Sequence, residues 1–130
     1  MILVDTSALF AALDRDDQNH ARAVAGFAEL ADEQLVTHNY VALETDALTR
    51  RRLGPAASRA LFTDLLPMLE TIWVDESLHR SALALYLRGA RPGASLVDCT
   101  SFATMEAHGI RRAFAFDDDF RRAGFDVLPS

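Results

Sequence analysis

Residues 1–9, Met-Ile-Leu-Val-Asp-Thr-Ser-Ala-Leu, decide how the rest of the chain is interpreted. The first four form a short, wholly apolar run, which is typical of a strand buried on both faces of a parallel sheet. Asp5 follows at the carboxyl end of this strand, where ligands bind in open α/β sheets. Two interpretations of Asp5 are open: a helix cap that accepts backbone N–H groups, or a metal ligand at the sheet edge.

Length and composition are those of a globular protein. The 130 residues carry a net charge of −6, are 50% hydrophobic and include one cysteine, Cys99. A chain of this length is expected to form a single domain, residues 1–130. The lone cysteine excludes an internal disulfide framework. Because no signal peptide or membrane-length apolar run is found, we expect a cytoplasmic protein without a membrane partner.

Strands and helices alternate along the sequence. Beyond the first strand, short apolar runs predict strands at 34–37, 71–74, 113–116 and 125–128. The spacing of apolar residues and breakers predicts a loop at 89–93 and helices at 8–13, 18–31, 38–53, 56–66, 76–88 and 95–108. This alternation predicts an α/β fold with a mostly parallel sheet of about five strands, covered by helices on both faces.

Acidic residues recur where the predicted strands end. Asp117 follows the run at 113–116 as Asp5 follows the first strand. Because the carboxyl ends of parallel strands share one edge of a sheet, both carboxylates are expected at the edge where ligands bind. The structural alternative is a cap followed by solvated turn acids, and for Asp118 we favour that alternative.

Two further acids lie on helix faces that are otherwise apolar. The stripe of Val41, Ala47 and Leu48 places Glu44 on the inward face of its helix. Asp98 begins a second such face, whose other members are Ser101, Phe102 and Met105. The alternatives are an ion pair with an arginine, or a position at the edge of the stripe, for Glu44 and a cap or first-turn acid for Asp98.

Together these acids predict one carboxylate cluster at the sheet edge. It would consist of Asp5, Glu44, Asp98 and Asp117. Such a cluster repels itself, and Mg²⁺ or Mn²⁺ is the fitting counter-charge because these cations take oxygen ligands. Zinc is disfavoured because cysteine is single and the histidines, which we interpret as surface or capping residues, lack ligand spacing: His20, His38, His79 and His108. An open acidic site of this kind suits phosphoryl chemistry.

All thirteen basic residues are arginines, and several lie near the acids in sequence. They end the Glu44 helix, flank the loop before Asp98 and follow Asp117. One interpretation is basic charge that complements the carboxyl ends of helices. The other is a basic rim that binds nucleic-acid phosphates, with candidates Arg50, Arg51, Arg88, Arg91 and Arg121.

Four short stretches carry a family resemblance. In chain order they are Asp-Thr-Ser-Ala-Leu at 5–9, Val-Ala-Leu-Glu at 41–44, Ser-Leu-Val-Asp-Cys-Thr-Ser-Phe at 95–102 and Phe-Asp-Asp-Asp-Phe at 116–120. Their order and spacing resemble those of PIN-domain ribonucleases, especially the VapC-type toxins of bacterial toxin–antitoxin pairs. The resemblance spans nearly the whole chain and implies a PIN-like three-layer α/β/α sandwich.

The resemblance also implies an activity and a set of roles. The activity would be Mg²⁺- or Mn²⁺-dependent endoribonuclease cleavage of structured RNA, such as tRNA or the sarcin–ricin loop. The catalytic acids would be Asp5, Glu44, Asp98 and Asp117, with Asp5, Asp98 and Asp117 as metal ligands. Asp119 would be an auxiliary acid, and Ser7 or Thr6 would help to order a metal-bound water. We expect Thr6 or Ser7 also to take over the cap, which would leave the Asp5 carboxylate free.

The implied partners are an RNA substrate, a second copy of the chain in a homodimer, and a VapB-type antitoxin that inserts an arginine into the acidic site. One departure is Phe116, which stands where many members of the family carry Thr or Ser before the last acid. A PIN-like module that binds RNA or a partner without catalysis is the alternative function. A receiver-like domain is disfavoured because the sequence contains no lysine.

Overall fold

A computed structural model describes residues 1–89 and 91–130, so residue 90 of the predicted loop lies outside the described residues. The strands are β1 (Ile2–Val4), β2 (Leu35–His38), β3 (Glu70–Ile72), β4 (Arg112–Phe114) and β5 (Asp126–Leu128). The helices are α1 (Thr6–Leu13), α2 (His20–Glu29), α3 (Asn39–Leu53), α4 (Pro55–Ala60), α5 (Glu76–Arg88), α6 (Leu96–His108) and α7 (Asp119–Arg122).

The five strands form one sheet in the order β3-β2-β1-β4-β5, and every neighbouring pair is parallel. The predicted α/β class and strand number are therefore confirmed. From β1 the chain proceeds outward through β2 to β3, and later strands extend the sheet from the other side of β1. The strand order thus reverses between β1 and β4, and a crevice for ligands is expected at their carboxyl ends.

The sheet is covered on both faces because alternate strand residues feed two separate apolar clusters. Ile2 and Val4 point into one cluster with Phe27 and Phe114, whereas Leu3 points into the other. The second cluster contains α6 side chains together with aromatic residues from the C-terminal part: Phe102, Met105, Phe120 and Phe125. The fully buried β1 confirms the prediction made from the opening apolar run.

Two predicted helices differ from those observed. The inward face of α3 is formed by Val41, Thr45 and Thr49, whereas Ala47 is exposed, so the predicted stripe was partly wrong. The burial of Thr45 is possible because its Oγ1 donates to Thr6 Oγ1 over 3.1 Å, whereas the buried Oγ1 of Thr49 has no hydrogen-bond partner among the described residues. The helix predicted at 56–66 ends as α4 at Ala60 and continues as a π-helical turn, Leu61–Leu65, and a 3₁₀ turn, Leu66–Met68.

Within residues 1–89 and 91–130, no helix combines the length and the apolar character needed to cross a bilayer.

The contact between α2 and the sheet depends on Gly26. A Cβ added there would lie 2.6 Å from Cζ of Phe114, a fully buried ring that also packs against Phe27 at 4.8 Å between centroids. We expect Gly26→Ala to lower the free energy of unfolding by about 1–2 kcal/mol, because an overpacking cost of about 2–3 kcal/mol at this buried contact outweighs the gain in helix propensity of about 1 kcal/mol. Urea unfolding measures the change.

Ala28→Gly is the matched control because Ala28 is exposed on the same helix. It reports the propensity difference alone, and about 1 kcal/mol of destabilisation is expected. A Gly26→Ala protein about 1 kcal/mol more stable than the wild type would show that Phe114 moves aside without cost, because only the propensity gain would then remain.

Candidate metal centre and active site

Three carboxylates from distant parts of the sequence meet at the carboxyl edge of the sheet. Asp5, Asp98 and Asp117 each offer one oxygen, and these oxygens all lie within 4.8 Å of one another. Asp5 follows β1, Asp117 comes three residues after the end of β4, and Asp98 lies in the first turn of α6. The backbone N–H of Asp5 donates to the carbonyl oxygen of Phe114 over 3.0 Å, which joins the ends of the two strands.

Asp5 is itself the N-cap of α1. Its side chain is only 3% exposed, and Oδ2 accepts from the backbone N–H of Ser7 at 3.1 Å and from its hydroxyl at 2.6 Å. The prediction that Thr6 or Ser7 would take over the cap was therefore wrong. Because a carboxylate has two oxygens with several acceptor positions, capping leaves Asp5 with capacity for a further ligand.

The two auxiliary hydroxyls lie in different surroundings. Ser7 Oγ donates to Asp5 and accepts from the backbone N–H of Phe116 over 3.0 Å, so it connects the first acidic stretch with the last. Thr6 is buried against α3, where its hydroxyl bonds to Thr45 and to the Glu44 carboxylate. Ser7 thus fixes the carboxylate cluster, and Thr6 fixes the neighbouring glutamate.

Asp98 also has two functions in the structure. Its Oδ2 accepts from the backbone N–H of Ser95 over 3.0 Å, while Ser95 Oγ accepts from the backbone N–H of Asp98 over 3.0 Å. This reciprocal capping box fixes the start of α6. The two interpretations considered for Asp98, a first-turn cap acid and a member of the cluster, are compatible in the geometry.

Glu44 lies beside the cluster rather than within it. It is partly buried on α3, and burial is the main cause that raises its pKa, followed by the negative charges of Asp98 and Asp117. In the described part of the chain no arginine forms a salt bridge with Glu44, so the predicted ion-pair alternative is not found there.

Burial and mutual repulsion raise the pKa values of the three clustered carboxyls. Burial raises the pKa of Asp5 to about 6 against the opposing hydrogen bonds from Ser7, and Asp98 and Glu44 add repulsion. Burial, followed by the charges of Asp5 and Asp98, raises the pKa of Asp117 to about 7. The pKa of Asp98 is also raised, mainly by burial. A counter-charge at this site would therefore stabilise the ionised forms.

The donor set fits a hard divalent cation. All three donors are carboxylate oxygens, which Mg²⁺ and Mn²⁺ prefer, and Mg–O distances are about 2.1 Å. Oxygens on opposite sides of one ion are thus about 4 Å apart, close to the 4.8 Å limit that encloses the three oxygens. The residues that could hold such an ion are Asp5, Asp98 and Asp117.

The last acidic stretch contains two different kinds of residue. The backbone N–H of Asp119 donates to Asp117 Oδ1 over 3.2 Å, and the Asp119 carboxyl lies close enough to Asp98 to raise the pKa of Asp98. Asp118 instead points to solvent and pairs with Arg121 at 3.1 Å. Asp118 is thus the solvated turn acid that the sequence predicted, and Asp119 adjoins the cluster.

Four arginines line two cavities next to the acids, and two of the four, Arg91 and Arg121, were predicted from the sequence. A cavity of about 240 Å³ beside Asp117 contains Arg121 and also Arg22 from α2. A second cavity of about 140 Å³ beside Asp119 contains Arg91 and Arg122.

The other three predicted arginines are exposed and line neither cavity within the described residues: Arg50, Arg51 and Arg88. Sequence reasoning left Arg22 and Arg122 out of the RNA-binding set. Arg122 directly follows a predicted residue, whereas nothing near Arg22 in the sequence points to the site.

His38 ends β2, but both of its ring nitrogens are engaged in hydrogen bonds and it is not part of the carboxylate cluster. It is fully buried, its Nδ1 accepts from the backbone N–H of Val41 at 3.3 Å, and its Nε2 bonds to Ser101 Oγ at 2.8 Å. Burial lowers the pKa of His38 to about 4, which keeps the ring neutral. The capping interpretation is confirmed for His38, and the surface interpretation is wrong for it.

The sheet is all parallel, and three carboxylates meet near the point where its strand order reverses. These two features define the class: an α/β protein with an acidic site at the carboxyl edge of its sheet. The PIN domain family model matches residues 2–126. The chain belongs to the PIN domain family, as the four acidic stretches predicted.

Similar proteins include one curated relative and two solved structures. The 23S rRNA-specific endonuclease VapC20 of Mycobacterium tuberculosis is 37% identical over 131 aligned positions, which cover 99% of each protein. The crystal structure of that organism's VapC20, described as a sarcin–ricin loop cleaving toxin, has a TM-score of 0.89 at 35% identity and 96% coverage of both chains. FitAcB from Neisseria gonorrhoeae has a TM-score of 0.72 at 19% identity, covers 98% of this chain and 96% of its own, and shares the fold.

Proposed function

We propose that this chain is a divalent-metal-dependent endoribonuclease toxin that cuts the sarcin–ricin loop of 23S rRNA. The observation that carries the proposal is the meeting of the Asp5, Asp98 and Asp117 oxygens within 4.8 Å of one another. It is supported by the 37% identity, over 99% of both proteins, with an endonuclease described as specific for 23S rRNA. We assign all of residues 1–130 to one PIN domain.

Asp5, Asp98 and Asp117 would hold Mg²⁺ or Mn²⁺. A cation bound there would lower the pKa of water and would stabilise negative charge that develops on phosphate oxygens. Ser7 keeps the Asp5 carboxylate in place through its hydroxyl and backbone N–H. The backbone N–H of Asp119 orients Asp117 in the same way.

Glu44 is the general base of the proposed reaction. It lies beside the cluster, and its raised pKa makes it a stronger proton acceptor than an ordinary glutamate. As the oxygen of water bonds to phosphorus, the bond from phosphorus to the leaving ribose oxygen breaks. Glu44 accepts the proton that the water loses, and the leaving oxygen takes a proton from solvent.

The proposed partners follow from the same assignment. A VapB-type antitoxin would neutralise the toxin by placing a basic side chain at the acidic cluster, where burial and mutual repulsion, which raise the pKa values of Asp5 and Asp117, favour an added positive charge. The toxin would act on cytoplasmic ribosomes as a homodimer.

Mapping of RNA 5′ ends tests the proposed activity. Purified protein incubated with ribosomes and Mg²⁺ or Mn²⁺ is expected to produce one new end, within the sarcin–ricin loop. EDTA should prevent the cut, and excess Mn²⁺ should restore it. RNA that is bound but remains intact at every metal concentration would instead identify a binding module. Cuts confined to tRNA would contradict the proposed substrate.

A further inference from the structure

Arg22 is a basic residue near the acidic cluster that lies far in the sequence from Asp98 and Asp117. Its α2 is separated from Asp117 by most of the chain, yet both residues line the cavity of about 240 Å³. Arg121 lines the same cavity, and the rest of its wall comes from Phe116 and the C-terminal segment: Ala115, Val127, Pro129 and Ser130. Two arginines therefore line one cavity together with Asp117 of the acidic cluster.

The position of Arg22 is fixed by an aromatic ring. Its guanidinium carbon lies 5.4 Å from the ring centroid of Phe116, within the range of a cation–π contact. Phe114 packs against the Phe116 ring at 5.9 Å between centroids. The backbone of Phe116 is fixed as well, because its N–H donates to Ser7 Oγ. Phe116 thus connects the orientation of Arg22 to the frame of the cluster.

Both guanidinium groups have capacity for an anion. Arg22 makes no salt bridge within the described residues, so no carboxylate there occupies the N–H donors of its guanidinium. Arg121 pairs with Asp118, and both side chains are largely exposed at 60% and 66%. An exposed pair of this kind contributes little and is readily exchanged for a phosphate.

The charge of the molecule explains why such a contact matters. With a net charge of −6 and four acids at the site, the protein repels an RNA backbone as a whole. Positive charge beside the cluster offsets this repulsion where the strand has to approach. Planar guanidinium groups are well suited to phosphate because they donate two parallel hydrogen bonds.

We propose that Arg22, oriented by Phe116, forms with Arg121 a clamp for an RNA phosphate next to the one that is cut. Arg22 is thus a positioning residue, and its place in RNA cleavage rests on the function proposed above. The clamp affects how tightly RNA binds and where it lies, whereas the chemical step depends on the acidic cluster.

Arg22→Gln tests the clamp, with Arg111→Gln as the matched control. Arg111 is also exposed, but it precedes β4 and so lies at the opposite edge of the sheet. With a sarcin–ricin hairpin RNA, Arg22→Gln should raise KM about fivefold, leave kcat within twofold, and reduce the slope of log affinity against log salt by about one. Arg111→Gln should change none of these values.

Phe116→Leu separates orientation from charge. It keeps all the charges, so KM is expected to rise while the salt slope stays unchanged. Affinities are measured by fluorescence anisotropy in an Asp98→Asn background, so that binding is recorded without cleavage. Each variant's thermal melt is compared with that of its parent.

Binding and cleavage report separately on the two proposals. If the wild type cuts RNA but Arg22→Gln matches Arg111→Gln in affinity and salt slope, the clamp is overturned and the proposed activity stands. If the wild type does not cut, yet Arg22→Gln alone reduces the salt slope, the phosphate contact is supported and the nuclease activity is rejected.

Discussion

Asp5→Asn should reduce the rate of RNA cleavage by at least about 100-fold, since changes in the groups that merely support metal ligands already reduce activity 10- to 100-fold. The substitution removes one of the three charges that meet within 4.8 Å. It preserves the fold, because the amide oxygen of Asn can still accept from the Ser7 backbone N–H and hydroxyl as Oδ2 of Asp5 does. Initial rates with the hairpin RNA at saturating Mn²⁺ measure the effect.

Asp118→Asn is the matched control for this experiment. Asp118 belongs to the same acidic stretch as Asp117, but its side chain is 66% exposed and pairs with Arg121. Loss of the Asp118 charge should change the rate of RNA cleavage less than twofold. If Asp5→Asn cuts RNA as fast as Asp118→Asn, the cluster is not the catalytic centre.

A second readout shows whether Asp5 acts through the metal. Mn²⁺ at 100 times its dissociation constant should stabilise the wild type by about 2.7 kcal/mol. Asp5→Asn should lose most of this stabilisation. An inactive variant that keeps the full stabilisation would place Asp5 in the reaction without a role in cation binding.

The carboxylate cluster could be predicted because the parallel direction of the strands and the phase of the helices can be inferred from local sequence. An apolar run followed by an acid places Asp5 and Asp117 at the same end of parallel strands, whatever lies between them. The apolar spacing after Asp98 similarly predicts the face of α6 on which it lies. For these residues, short stretches of sequence decide direction and burial, so the geometry follows without knowledge of distant contacts.

Other features depend on contacts between distant segments. Arg22 lies over Phe116 only because α2 packs against the sheet through Gly26, and no local pattern specifies that approach. The buried face of α3 contains Thr45, whose burial depends on a hydroxyl partner, Thr6, from another helix. Polar residues of this kind are predicted to be exposed until their partner is known.

In the absence of metal, the free energy of unfolding should decrease as the pH rises. Asp117→Asn should remove much of this pH dependence. The ordinary pKa of an Asp carboxyl is 3.8, whereas burial and repulsion raise the pKa of Asp5 to about 6 and that of Asp117 to about 7. Between pH 3.8 and these raised pKa values, the folded chain binds more protons than the unfolded chain. Stability is therefore highest at low pH for these groups and falls as the pH rises through 6 and 7.

In EDTA at pH 8, Asp117→Asn should therefore exceed the wild type in unfolding free energy by on the order of 1–2 kcal/mol. Near pH 4 the two proteins should be equally stable, because the wild-type carboxyl is then protonated when folded. His38 has the opposite effect, since its lowered pKa destabilises the protein as the pH falls from 6.5 to about 4. Comparing variant and wild type at each pH cancels that contribution.

Saturating Mn²⁺ should reverse the order of stability at pH 8, because the cation stabilises the wild-type carboxylates and binds the variant weakly. Urea unfolding at pH 4 and pH 8, with EDTA or with Mn²⁺, provides the comparison. The repulsion argument fails if Asp117→Asn is less stable than the wild type in EDTA at pH 8. In that case the Asp117 carboxylate would contribute favourable contacts that outweigh its burial and its repulsion by Asp5 and Asp98.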